Sequence, residues 1–513
     1  MTLVLVLAAV LRLDNITQPF IDDAAWRESS VAMIAENFYR KSWNIFYPEV
    51  NWVGPAPGYQ GREFQTVSYI AALLYTIMGQ RDWIGRSIAV AFGLLGIFAL
   101  FQLTRCVWDE QHAIISALLM SLMPGVIRLD RSFLPDPAMV ALVVTSFWML
   151  ILYLQTGSTR CLVLAMIIGA WGNLTKIPGM IVGLPMLYVI MSLLGRRELL
   201  RSRTITTLLI AGVLSALPVC AYYLWARQLS FSYPPYHFAG EGNWIWDQGL
   251  RAWTEQQYFL PRLTGPIIRL WSSPVLLLFC LGFVLAIVKK PDFEAQIGKG
   301  NMFHSFEAPW LFHWWIAAGV IYYLIGALEL IENPSNFHIL SPAVAALSAH
   351  AVITLSSFAA AQLKQPTLHR MFAALLVIVV GVWGQRHSQL RSAYAKQSYD
   401  LGLALKAVSL EDELVVTFGN VIGCPVAIYY SGRRGWLFPP FGEIKDWERL
   451  PEDDEAIKIF EMLRARGAKW FGVVKMRKDD IWKERPWFAE HIERTSELVK
   501  INESAIIYRM RSP

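Results

Sequence analysis

Charge is what this chain has least of. Of its 513 residues only 17% are charged, while 55% are hydrophobic, and the mean hydropathy is +0.38. A soluble domain rarely reaches that balance, so most of the chain is expected in a bilayer. Cysteine is scarce too. Cys106, Cys161, Cys220 and Cys280 lie in or beside apolar runs and only Cys424 in a polar one, which argues against disulfides. No His/Cys cluster has zinc-ligand spacing, and no Ser-His-Asp order can be assembled. No glycine-rich nucleotide loop is present; Gly419-Asn420, after a strand-like run, is too little for a phosphate fingerprint. No internal repeat is visible. The net charge of +6 is ordinary for the loops of a membrane protein and does not call for nucleic acid. The opening MTLVLVLAAVLRL has neither a basic leader nor a small-residue cleavage site. It reads as the outer part of a first transmembrane helix rather than a signal peptide.

Apolar runs and tryptophan are what the chain has in quantity, with 21 Trp residues suited to membrane–water interfaces. Beyond the first segment, apolar spans fall at about 86–107, 111–127, 137–155, 160–175, 177–194, 203–225, 273–289, 310–328, 338–357 and 371–386, making eleven. The run 66–79 is short and flanked by Arg62-Glu63 and Arg81-Asp82. If it stays in the interface, the loops at Arg105, Arg160, 195–203, 289–309 and 359–370 all face the cytoplasm. The basic clusters, among them GRRELLRSR, then obey the positive-inside rule. Residues 14–85, 128–136, 226–272 and the tail from about 388 then lie outside.

In the first of these, AAWRESSVAMIAENFYRK spaces Trp26, Val31, Ile34 and Phe38 as a helix lying on the membrane surface. The loop 226–272 carries Trp244, Trp246, Trp253 and Tyr258 and suits a lipid-facing lid. In the tail, helical 388–408, strand-like ELVVTFG, helical DEAIKIFEMLRARGA, strand-like KWFGVVK, helical FAEHIERTSEL and strand-like SAIIYRM alternate as in a small α/β domain. The domains are thus 1–387 in the membrane and 388–513 outside it.

On the outer side, Asp22, Asp23, Glu63, Asp136 and Lys176 each sit just beyond an apolar segment. Charges at a membrane edge are costly unless they have a role. Bland readings exist for each. Asp22 or Asp23 can cap the helix that follows. Glu63, among glycines, can be a solvated charge paired with Arg62. Asp136, between two prolines, suits a helix start, and Asp130 and Arg131 can be a local pair. Lys176 can snorkel, and a lone His338 is more often structural. The functional reading is carboxylates beside a cation that holds a phosphate at membrane level. Arg251, Arg262 and Arg269 in the long outer loop are weaker candidates of the same kind.

The order DDAAWRESSVAMIAENFY, YQGREFQTVSYIAALLYTIMGQRDWIGRSIAV, SFLPDP, NLTKIPG resembles the bacterial glycosyltransferases of the GT-C superfamily over residues 1–360. Within it, the dolichyl-phosphate-mannose-protein mannosyltransferase-like group, which includes the aminoarabinose transferases of lipid A, is most similar. The resemblance implies a polytopic α-helical GT-C fold of about eleven transmembrane helices. It places the chain in the bacterial cytoplasmic (inner) membrane, its α/β domain outside. It puts Asp22 where the family has a catalytic base and Asp23 where a glutamate is usual. Trp26 takes an aromatic position, Glu63 the acid of a Glu-Lys-Pro-like motif, and Asp136 the acid of the second outer loop. Lys176 stands at a phosphate-contacting lysine and His338 before a Leu-x-Pro. Phe64 and Gln65 depart from that Glu-Lys-Pro motif, leaving Arg62 as the nearby cation.

The implied reaction moves a sugar, with inversion, from a polyprenyl phosphate to an acceptor hydroxyl on a glycan, lipid or protein. Asp22 is the expected base, Asp23, Glu63 and Asp136 position the acceptor or stand in for the base, and Lys176, Arg262 and Arg62 contact the phosphate. The carboxylates leave room for a divalent metal, though no ligand set is assigned. A lipid-glycan flippase and an inactive GT-C scaffold are the alternatives.

Overall fold

The structure is a computed structural model that describes residues 1–194, 202–238, 261–289, 308–326, 330, 333–387, 392–444 and 448–512. Its first half is a run of helices: α1 (Thr2–Leu13), α2 (Ala25–Arg40), α3 (Thr66–Met78), α4 (Asp82–Val107), α5 (Glu110–Leu122), α6 (Pro124–Leu129), α7 (Pro135–Thr156) and α8 (Thr159–Thr175). Local chemistry sets their ends. The Asp109 carboxylate accepts the His112 N–H at 2.8 Å and starts α5. Pro135 opens α7, and Gly157, at φ +70°, closes it.

Among the described residues four helices are long and apolar enough to cross a membrane: Asp82–Val107, Pro135–Thr156, Arg203–Ser232 and Pro334–Gln362. A fifth span arises if Thr264–Trp271 and Ser273–Val288, bent by 98°, are one. Thr2–Leu13, Thr66–Met78, Thr159–Thr175, Ile177–Leu193, Leu311–Ile325 and His369–Gly384 are shorter apolar helices. Residues 111–127, expected as one span, are broken. Met123 is extended and Pro124 starts a new helix, because proline has no N–H to continue the old one. The helix expected to end at 225 instead runs to Ser232. Leu100, Val140, Phe147, Trp315 and Leu347 lie in the core where these helices meet.

Two outer elements differ from expectation. Helix α2 does not lie open on a membrane surface; Val31, Ala32, Met33, Ile34, Ala35 and Phe38 are all buried. Its cover is α3, the segment around Val50 and Trp52, and part of the C-terminal chain, none of it visible to local periodicity. Beyond the short ladder of β1 (Glu49–Val50) and β2 (Gly58–Tyr59) in the first outer region, the C-terminal part holds a five-stranded sheet in the order β4 (Gly435–Leu437), β3 (Leu414–Phe418), β5 (Ala468–Val474), β7 (Ala505–Met510), β6 (Ser496–Ile501). β3 runs parallel to β4 and β5, while β7 is antiparallel to β5 and β6. The helix expected over FAEHIERTSEL stops at Thr495, and Ser496–Ile501 pairs with β7. The first tail helix begins at Lys396.

The sheet shares one apolar cluster with the first outer region. Phe20, Ile34, Phe38 and Trp52 pack in the same core as Leu401, Ile428, Leu437 and Ile507. Backbone bonds also cross: Gly54 N–H to Gly435 O at 2.7 Å and Gly435 N–H to Asn51 O at 3.0 Å. Gly54 sits at φ +80° with the Trp436 ring against it, where a side chain would have neither the backbone nor the space. This docking places the sheet above the site.

Candidate active site

Glu63 and Lys176 are 113 residues apart in sequence, and the loop carrying Glu63 is tied down where α8 ends. Phe64 N–H bonds Leu174 O at 3.0 Å. The hydroxyls of Thr66 and Thr175 meet at 2.7 Å, and Tyr222 donates to Arg62 O at 3.1 Å. Phe64 is thus a packing residue, its ring edge-on to Tyr222 at 5.2 Å. Lys176 is extended between α8 and the 3-10 turn Ile177–Val182. Its Nζ donates to Asp136 Oδ1 at 2.6 Å and Asn336 Oδ1 at 3.1 Å. Asp136 is fully buried in the first turn of α7, so it serves to hold Lys176.

A cavity of about 330 Å³ opens there, lined by Trp26, Arg27, Trp52, Arg62, Glu63, Lys176, His237, Asn333, Asn336 and Phe441, among others. Glu63 meets Arg27 at 3.4 Å and Arg62 at 3.8 Å. Burial opposes its ionisation, but Arg62 and then Arg27 outweigh it and hold the carboxyl at about 2. Glu63 is therefore a permanent anion and a poor proton acceptor. Burial, and then Arg62, push His237 down to about 4. The imidazole is neutral at pH 7, so transfer measured between pH 5 and 8 is expected to show no histidine limb. A limb near 6.5 that vanishes in His237→Gln contradicts this.

A second cavity of about 560 Å³ adjoins the first and shares Trp26, Arg27 and Asn333 with it. Asp23, Arg128, Arg269 and Tyr394 line it. Asp23 is exposed, and its carboxylate accepts from Arg128 at 2.8 Å and from Ser392 Oγ at 3.0 Å. The neighbouring Asp22 points elsewhere. It lines neither cavity, is buried, and pairs with Arg86 at 3.0 Å. Arg86 also binds Glu28 at 3.0 Å, and Asp22 Oδ1 accepts the Ala24 N–H at 3.0 Å. Burial raises Glu28 well above the usual carboxylate range, and the Asp22 charge adds to the rise. For Asp22 burial works the same way, but Arg86 and the bond from Glu28 prevail, so it stays low. The expected base is thus consumed by a structural pair.

Trp26 lines both cavities, its indole N–H bonded to Gly423 O at 2.6 Å. His338 is fully buried away from them, between Asp130 at 3.1 Å and Ser341 at 3.2 Å. Asp130 does not form the expected pair with Arg131; it binds Arg12 at 2.7 Å. The Arg262 side chain and Arg251, with Trp244, Trp246, Trp253 and Tyr258, lie outside the described residues. Arg27, His237 and Asn336 escaped the sequence reading. A periodic signal existed only for Arg27, one helical turn beyond Asp23.

A divalent metal finds little here. Among the described residues no three His, Cys, Asp or Glu side chains converge as ligands. The carboxylate in the first cavity is already paired with two guanidinium groups, which repel a dication.

Residues 66–224 match the family model of dolichyl-phosphate-mannose-protein mannosyltransferases. Among curated proteins none matches. Solved structures do. ArnT from Cupriavidus metallidurans in the apo state aligns over 99% of this chain and 97% of its own, with TM-score 0.65 and 12% identity. ArnT bound to undecaprenyl phosphate aligns over the same shares at TM-score 0.61 and 13% identity. The apo oligosaccharyltransferase of Archaeoglobus fulgidus aligns over 94% of this chain and 71% of its own, at TM-score 0.60 and 13% identity. The chain shares the fold of these solved structures, in keeping with the resemblance that its motifs carry.

Proposed function

We propose that this chain, built on the GT-C fold, transfers a sugar from a polyprenyl-phosphate donor to an acceptor hydroxyl at the outer face of a bacterial cytoplasmic membrane. The observation that carries the reading is the first cavity: three cations, Arg27, Arg62 and Lys176, surround a space at the end of α8. A sugar-phosphate lipid brings one negative charge there. As the bond from the anomeric carbon to the phosphate oxygen breaks, a second charge develops, and fixed cations stabilise it.

Trp26, Trp52 and Phe441 supply apolar faces beside the phosphate position. The acceptor enters through the second cavity, and the residues common to both cavities mark where the two substrates meet. Asp23 lies on the acceptor side and takes the hydroxyl proton as the new bond forms. Attack from the face opposite the phosphate inverts the anomeric centre. Eleven crossings, with α3 in the interface and the sheet outside, are the topology that goes with this reading.

The test is incubation of purified protein in nanodiscs with radiolabelled polyprenyl-phosphate sugars and membrane acceptors. Label transferred to an acceptor supports the reading; label that only changes leaflet makes the protein a flippase. Lys176 is expected to matter for donor binding. In the pair Lys176→Met with Asp136→Asn, which leaves no uncompensated charge, affinity for undecaprenyl phosphate should fall about tenfold or more, as loss of a charged hydrogen bond implies. Unchanged affinity removes Lys176 from the phosphate site.

A further inference from the structure

Among the described residues, the second cavity is lined by more cations than carboxylates. Among these residues three guanidinium groups, Arg27, Arg128 and Arg269, line it against one carboxylate, that of Asp23. Arg128 is matched by Asp23 at 2.8 Å, and Arg27 leans on Glu63 at 3.4 Å. Arg269 makes no ion pair among the described residues. Its position is nonetheless fixed. The next two residues, Leu270 and Trp271, are buried, and the Trp271 indole donates to Ser341 Oγ at 2.9 Å. The chain then bends by 98° into the following helix.

We propose that the second cavity receives an acceptor carrying an anionic group, a phosphate or carboxylate, which sits on Arg269 and Arg128 while its hydroxyl faces Asp23. This rests on the reading that the first cavity takes the lipid-linked phosphate. A guanidinium fork matches either anion with two parallel hydrogen bonds, and a cavity with excess positive charge concentrates anions. An anion that draws on Arg128 also loosens its hold on Asp23. That carboxylate is then free to accept a hydrogen bond from the arriving hydroxyl, so binding the correct acceptor prepares the proton transfer.

Two soluble probes separate the possibilities: octyl glucoside 6-phosphate and uncharged octyl glucoside, titrated onto the full chain in nanodiscs with and without saturating undecaprenyl phosphate. The phosphorylated probe should bind and the neutral one should not. Arg269→Gln, at an exposed position, should weaken the phosphorylated probe about tenfold or more, with melting unchanged. Arg269→Lys should keep part of the affinity. Undecaprenyl phosphate should not displace the probe. Equal binding of both probes, indifference to Arg269→Gln, or displacement by undecaprenyl phosphate each overturns the inference, the last because it makes this cavity the donor's. Undecaprenyl phosphate binding is scored separately. If it fails while the phosphorylated probe binds, the functional reading falls.

Discussion

Asp23→Asn is expected to abolish glycosyl transfer without unfolding the protein. Proton abstraction by a positioned carboxylate contributes about 10²- to 10⁴-fold to such a step, and an amide cannot take the proton. The side chain is exposed and bonded only at the cavity edge, to Arg128 and Ser392. Its loss therefore removes no buried charge partner. The measurement is single-turnover transfer beside a melting curve in the same nanodiscs. A turnover within a few-fold of the parent moves the base elsewhere. Asp22→Asn is the control, because its buried carboxylate faces Arg86 and its effect should appear in the melt.

Arg86→Met is expected to be the most destabilising single change near the site. The guanidinium is fully buried. It binds Asp22 and Glu28 at 3.0 Å each, and it donates to Gln18 O at 3.2 Å and Pro19 O at 3.1 Å. It also lies 5.2 Å over the Phe20 ring. Removing one partner of a buried ion pair leaves the other uncompensated, at a cost of about 3–5 kcal/mol. Glu28 accepts the Phe133 N–H at 2.9 Å, so the loosening reaches the turn before α7, where Asp136 holds Lys176. Melting should drop strongly, and donor binding should weaken with it. The triple change Arg86→Met, Asp22→Asn, Glu28→Gln should recover part of the melting temperature. A melt equal to the parent's in the single variant contradicts the role given to Arg86.

What the residues disclosed, and what they hid, divides along the distance over which the signal acts. Apolar runs announced the membrane helices, and short strand-like runs announced β3, β5 and β7, because both depend on neighbours a few positions away. Glu63, Asp136 and Lys176 stood out as charges at apolar boundaries, and they do converge. Asp22 and Asp23 could not be told apart, since their roles depend on whether Arg86 or Arg128 is opposite, both remote in sequence. The break at Met123-Pro124 was legible in its proline but was masked by the surrounding hydropathy. Burial of α2 was not legible. A helix with one apolar face looks the same whether a membrane or other parts of the chain cover it.

The bond from Trp26 to Gly423, with Phe441 and Tyr394 in the two cavity walls, has a consequence for biogenesis. The helices that supply the cations are all made before the segment that roofs them. A ribosome-bound chain ending before residue 394 would display the arginines and lysine in an open bowl. Enclosure comes only when the last quarter or so of the polypeptide has been delivered and has settled on α2. Until then both cavities lack a wall, and the place where we propose that donor and acceptor meet is incomplete.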